Sequence, residues 1–420
     1  MSRIPRRWLL LALCCAGWPG FAGERPALRW ASAVPREVAA SSPVAFLNVN
    51  VVPMDAQRVL ERHTVVVRDG RIADLGPAET VEAPADAEPI DAEGFYLMPG
   101  LADMHTHFGS DDADWEKDLF LFVANGVTTV REMWGSVRYL RWRDAIAAGD
   151  AIGPPGSMWP APAWTALDVY EAIMAEAGVQ GIKVVGHIPP RAGLLNVLAA
   201  GQYSIEHLYG FPEPAFSTGS LVTGVLDESR LKELAALIRD AGVWITPTLA
   251  VGLVSLDQVP AMLRRPEMRY VSPSLKRWLA HPLQRYPNRD LSLYEANSKL
   301  VLKVLEDRGV KLLLGVDSGF RYLLPGFSIH DELRLRVEAG LTPYQALRMA
   351  TVNAAEFLGA QEHAGAIAVG QRADLILLQA SPLEDVWNVN QRVGVMVGGR
   401  WLSETRLRET LEEIARSYGN

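Results

Sequence analysis

The run Met98-Pro99-Gly100-Leu101-Ala102-Asp103-Met104-His105-Thr106-His107 constrains this chain more than any other stretch. Pro99-Gly100 marks a sharp entry, and the apolar residues around it predict a buried strand. Residues two apart on a strand share a face, so His105 and His107 present two imidazoles side by side. Imidazole nitrogen is a good ligand for zinc and neighbouring divalent metals. A lone His-x-His also occurs on solvated surfaces. Here the acidic, glycine-flanked and apolar context points instead to a metal site.

Further motifs follow in order: Gly126-Val127-Thr128-Thr129-Val130-Arg131-Glu132, Val185-Gly186-His187, Ser204-Ile205-Glu206-His207, Gly315-Val316-Asp317-Ser318-Gly319 and Gly370-Gln371-Arg372-Ala373-Asp374-Leu375. Strands are predicted to end at His107, Arg131, His187, His207, Thr248 and Asp317. Helical periodicity covers residues 228–241, 292–308 and 343–358, the last with Thr342 as N-cap and Pro343 at its first position. This alternation is that of a parallel α/β barrel, where the C-terminal strand ends carry the chemistry. A chain of 420 residues suits such a barrel plus a small accessory domain. Short alternating strands, with Asp69-Gly70 as a hairpin signal, fill residues 43–97. Similar strands recur over 365–403, and 404–420 reads as an amphipathic helix.

At these motifs, and over nearly all of the chain after residue 43, the sequence resembles the metal-dependent amidohydrolase superfamily, specifically its imidazolonepropionase-like and Xaa-Pro-dipeptidase-like branch. The resemblance implies a (β/α)8-type TIM barrel over residues 98–364 with metal at its mouth. It also implies that 43–97 and 365–403 combine into one small β-sandwich, where sequence alone would allow two separate hairpin units. One interval is short for this plan. Only 47 residues lie between Met133 and Gly181, whereas a barrel spends about 30 residues on each strand-helix unit and would need about 75 here. About one unit is therefore expected to be missing or collapsed, with 156–164 as a proline-rich strand and 167–178 as a helix.

Many relatives carry a lysine on the fourth strand that becomes carboxylated and bridges two metals. This sequence has no lysine between Lys117 and Lys183. Lys183 lies four residues before His187, roughly 13 Å deeper in the barrel, and is expected to pack or snorkel there. One divalent ion, zinc, is therefore expected. The resemblance would place His105, His107, His187 and Asp317 around it, with an open position for water. Asp317 would take the water's proton and deliver it to the leaving nitrogen. His207 would hydrogen-bond the water, polarise the scissile carbonyl, or serve as a ligand. Glu132 reads as a structural ion-pair residue. Tyr209 could face substrate or pack, and His330 could contact substrate or begin a surface helix. The prolines and aromatic residues of 250–297 suggest a cap over the mouth that sets specificity.

The implied activity is hydrolysis of a C–N bond in a small amide, lactam or dipeptide. Deaminase-like attack at an amidine carbon is the alternative within enzymes, and a degenerate ligand-binding barrel the alternative outside them. Residues 1–22 have the arginine, apolar and small-residue order of a signal peptide, with an apolar run too short to span a bilayer. Arg6-Arg7 also permits twin-arginine export. A periplasmic or secreted mature chain is expected, without stable membrane insertion. Cys14 and Cys15 both lie in the leader, so the mature chain has no thiolate or disulfide. Losing Arg3, Arg6 and Arg7 leaves 38 basic against 49 acidic side chains, and the charge moves from −8 to −11. That balance argues against nucleic acid as a partner. A homo-oligomer is compatible with the sequence.

Overall fold

Strands from distant parts of the chain meet in one sheet. The computed structural model describes residues 42–419, apart from 109–113, 135–136, 149–150, 152–159, 162–166, 209–215, 219–220, 222, 255–257 and 280–290. The leader over 1–22 and Tyr209 lie outside the described residues. Eight strands form the sheet, in the order Arg400–Ser403, Arg392–Val397, Leu375–Leu378, Tyr96–Pro99, Val44–Val51, Leu60–Arg68 and Arg71–Pro77, with Glu88–Asp91 also on Val44–Val51. Both predicted groups of short strands therefore enter a single sheet, joined where Leu375–Leu378 pairs antiparallel with Tyr96–Pro99.

The period of two explains why Leu375–Leu378 is apolar throughout. Leu375 and Leu377 join a core with Phe46, Val65 and Leu97, while Ile376 and Leu378 join the larger core containing Leu101, Phe122 and Val316. At the expected hairpin, Asp69 and Gly70 have φ of 51° and 72°, as a two-residue primed turn requires. The apolar run 393–400 is not one strand. Gly398 and Gly399, at φ 56° and 84°, turn Arg392–Val397 back on Arg400–Ser403.

A second set of strands is parallel. Val127–Glu132 pairs with Leu101–Thr106. On the other side of Leu101–Thr106, Met104 N–H donates to Leu314 O at 2.9 Å, Asp317 N–H to His105 O at 2.7 Å and His107 N–H to Ser318 O at 2.8 Å. These bonds join it to the chain following Lys311–Leu312, which leads through Trp244–Thr246, Ser204–Glu206 and Val185–Gly186 to Pro160–Ala161. Among the described residues, the short interval after Met133 holds helix Val137–Ala148, strand Pro160–Ala161 and helix Leu167–Gln180. No pairing between Pro160–Ala161 and Val127–Glu132 occurs among the described residues.

Helices Glu228–Ala241 and Ser292–Asp307 form where their apolar periodicity predicts. The expected helix over 343–358 is divided into Pro343–Met349 and Val352–Leu358. Thr351 leaves helical geometry at φ −132°, ψ −92°, and its hydroxyl donates to Leu347 O at 2.8 Å, a local bond that competes with helix continuation. Within 250–297, a 3-10 turn at Pro266–Tyr270 and helix Pro273–Leu279 build a small core of Met268, Val271, Leu275 and Leu279 with Tyr322 and Leu324. No helix among the described residues is long and apolar enough to cross a membrane.

Candidate metal centre

The parallel strands end together, and the expected site residues fall at those ends. His105 is the penultimate residue of Leu101–Thr106; His107 follows that strand, His187 follows Val185–Gly186, and His207 follows Ser204–Glu206. The backbone is left-handed at His207 (φ 63°), Thr248 (φ 47°) and Asp317 (φ 69°). Non-glycine residues adopt that region only when their surroundings enforce it. The turn at His207 breaks strand alternation, so Glu206 and His207, neighbours in sequence, are both buried. Gly319 is required by its neighbour: its φ is 85°, and a Cβ there would lie 2.1 Å from His107 O.

His105, His207 and Asp317 are buried and each offer one ligand atom, all within 4.8 Å of one another. His105 Nε2 is 3.6 Å from Asp317 Oδ1 and His207 Nε2 is 3.9 Å from Oδ2. Donors at about 2.1 Å from a tetrahedral zinc are separated by about 3.4 Å, close to these spacings. The other ring nitrogen of each histidine is already engaged. His105 Nδ1 meets Glu206 Oε2 at 2.9 Å, and His207 Nδ1 meets Thr248 Oγ1 at 2.5 Å. Each Nε2 is thereby left facing the aspartate, and the bond at the far nitrogen fixes the tautomer and ring orientation, as in metal-binding imidazoles generally. Asp317 Oδ1 is buried without an aligned hydrogen bond, although His107 Nε2 lies 2.9 Å away. This donor set fits a divalent ion.

The electrostatics agree with that fit. Burial opposes the Asp317 charge, but His105, His107 and His207 outweigh it and hold the carboxyl well below its ordinary range. Burial, with help from His105, pushes His187 down and His207 far down, favouring the neutral imidazole that metals bind. Glu206 is also opposed by burial; Arg131 and His105 more than compensate and keep it ionised. Its carboxylate accepts from Arg131 Nη2 at 2.6 Å and Ser204 Oγ at 2.5 Å, and Arg131 Nη2 also reaches Thr246 Oγ1 at 3.2 Å. Sequence reasoning missed this Arg131–Glu206–His105 chain. Asp103, pushed up to about 8 by burial, accepts from Val316 N–H at 3.0 Å and His105 N–H at 3.2 Å. It ties together the backbones that carry His105 and Asp317.

The remaining expectations separate. The half-buried His187 stacks on His207, with ring centroids 4.9 Å apart. Glu132 is fully buried at the end of its strand. Lys183 Nζ sits 3.9 Å over the Tyr203 ring. His330 does not begin a surface helix, because it is only 5% exposed. Its Nε2 accepts from Arg392 Nη1 at 3.1 Å. Trp134 was not anticipated. Its ring lies 4.7 Å from that of His107.

The model of the Amidohydrolase family matches residues 139–402, more than half of the chain, and the chain belongs to that family. The match begins after His105 and His107. Among curated proteins, the chain is 24% identical over 347 residues to the adenine deaminase of Ruegeria sp. (strain TM1040), covering 80% of this chain and 54% of that one. It is 25% identical over 350 residues to the ochratoxinase of Aspergillus niger, covering 69% and 71% respectively. The chain thus spans about half the length of the adenine deaminase it matches. Among solved structures, a Xaa-Pro dipeptidase with methionine bound in its active site superposes with a TM-score of 0.64 at 19% identity, over 86% of this chain and all of that one. That likeness supports a TIM-barrel-like α/β fold.

Proposed function

We propose that the chain is a metal-dependent hydrolase that cleaves the C–N bond of a small amide, lactam or dipeptide. The observation that carries this reading is the buried His105–His207–Asp317 group at the ends of parallel strands. In this reading one zinc ion is held by His105, His207 and Asp317, with His107 and His187 beside them. A bound divalent ion acidifies water toward neutral pH and polarises a carbonyl. Glu206 keeps the His105 Nδ1 proton directed away from the site, and Thr248 sets the orientation of His207. Asp317 takes a proton as water adds to the carbonyl carbon and returns it to the nitrogen as the C–N bond breaks. His187, kept neutral by burial and stacked on His207, would donate to the carbonyl oxygen. The match to adenine deaminases supports a second reading, in which the same residues act on an amidine carbon and release ammonia. Export is a further part of the proposal and rests on residues 1–22.

The test is metal analysis of the purified chain with turnover of pooled amides, dipeptides and adenine, repeated on Asp317→Asn. The expected result is one equivalent of zinc and release of a carboxylic acid, independent of bicarbonate. Loss of general acid–base work typically slows turnover by about 10² to 10⁴, and that loss is expected in Asp317→Asn while the fold is retained. Ammonia from adenine alone would select the second reading. Wild-type turnover by Asp317→Asn, or none by the zinc-loaded wild type, would overturn the first.

A further inference from the structure

Trp134 is an apolar side chain in a costly position. It is 47% exposed, yet it lies just past the Val127–Glu132 strand, at the same end as the metal-site residues. Its ring packs on His107 at a centroid distance of 4.7 Å and an interplanar angle of 36°. Trp278, from helix Pro273–Leu279, meets Trp134 edge-on at 6.1 Å and 76°. The Trp278 indole N–H donates to Gly319 O at 3.2 Å, two residues beyond Asp317. The two indoles are therefore both anchored beside the site, one packed on His107 and one bonded to the turn after Asp317.

We propose that Trp134, held in place by Trp278, is a specificity-determining wall that selects substrates with a flat apolar or aromatic group beside the scissile bond. The reading rests on the hydrolase assignment above and narrows its substrate class. A large half-exposed indole at a site entrance gains contact when a second flat apolar surface covers it, through area burial and offset ring packing. Its tilted packing on His107 fixes where that surface must lie. A group covering Trp134 stays within a few ångströms of the His107 ring, and so beside Asp317, whose Oδ1 is 2.9 Å from His107 Nε2. Trp278 stands nearly perpendicular to Trp134 and limits how far the covering group extends. Neither indole supplies a charge, so discrimination acts through shape and apolar area.

The experiment compares N-acetyl-L-phenylalanine and N-acetyl-L-alanine as ligands of the full chain, by saturation-transfer NMR with and without added zinc. Wild type, Trp134→Ala and Trp134→Phe are measured in parallel. The expected result is that wild type prefers the phenylalanine compound by about 10-fold or more, that Trp134→Ala reduces the ratio below about 2-fold, and that Trp134→Phe retains most of it. Equal binding of the two compounds by wild type, binding of neither at millimolar concentration, or an unchanged ratio in Trp134→Ala would overturn the proposal. The binding ratio separates this proposal from the hydrolase reading. A preserved preference with no turnover would sink the catalytic assignment alone.

Discussion

At the residue scale, the site is organised by what lies behind its ligand atoms. Glu206 is fully buried; it holds His105 Nδ1 and is itself held by Arg131 and Ser204. Outer partners of this kind typically account for about 10- to 100-fold in metal affinity. Glu206→Gln should therefore weaken zinc binding by that factor, read by competition with a chromophoric chelator, while circular dichroism shows the fold intact. Unchanged zinc affinity would remove Glu206 from the positioning role. The grouping of His105, His207 and Asp317 was legible because each sits in a short motif at a predicted strand end. The Arg131–Glu206 pair was not, because 75 residues separate its members and neither carries a local signal beyond being charged in an apolar run. Trp134 was equally silent: a tryptophan after a strand reads as ordinary core until its exposure is known.

At the scale of elements, caps and breaks decide what can be read. Helix Glu228–Ala241 was legible to the residue because Asp227 accepts from Ser229 and Arg230 N–H groups at its start and Gly242 turns left-handed at its end. The break at Thr351 was hidden because the apolar period continues through it. His330, near the start of helix Ser328–Glu338, is buried against the sheet residue Arg392. Burial, reinforced by Arg392, holds its imidazole well below the ordinary range, so it stays neutral in the folded chain, whereas an unfolded histidine titrates near 6.5. The unfolded state then binds more protons below that pH, and the stability present above about 6.5 is lost as pH falls. By pH 5 the loss attributable to this group is at most about 2 kcal/mol. The urea midpoint of wild type should drop more between pH 7.5 and pH 5 than that of His330→Gln; parallel curves for the two proteins would contradict this account.

At the scale of the whole molecule, the fold class was legible from the alternation of strands and helices, and so was the shortness of the interval after Met133. The single sheet was not derivable from periodicity, because strands carry no mark of their partner. The proposed export concerns the same scale. Protein isolated from its native host should begin near Gly23 by N-terminal sequencing, and an intact Met1 or Ser2 on cytoplasmic protein would refute export.

The pairing of Tyr96–Pro99 with Leu375–Leu378 has a consequence for how the chain is made. Tyr96–Pro99 leads through Gly100 into the strand that carries His105, so the support of that strand includes a neighbour synthesised nearly three hundred residues later. Closing so long a loop is entropically expensive and slow. While translation proceeds at about 5–20 residues per second, Leu97 and Met98 wait for tens of seconds with one edge bare. A chain exported before folding avoids part of that wait, since both strands arrive in the same compartment unfolded. For a cytoplasmic chain the same interval is a window in which an unpaired apolar edge is open to a chaperone or to another copy of itself.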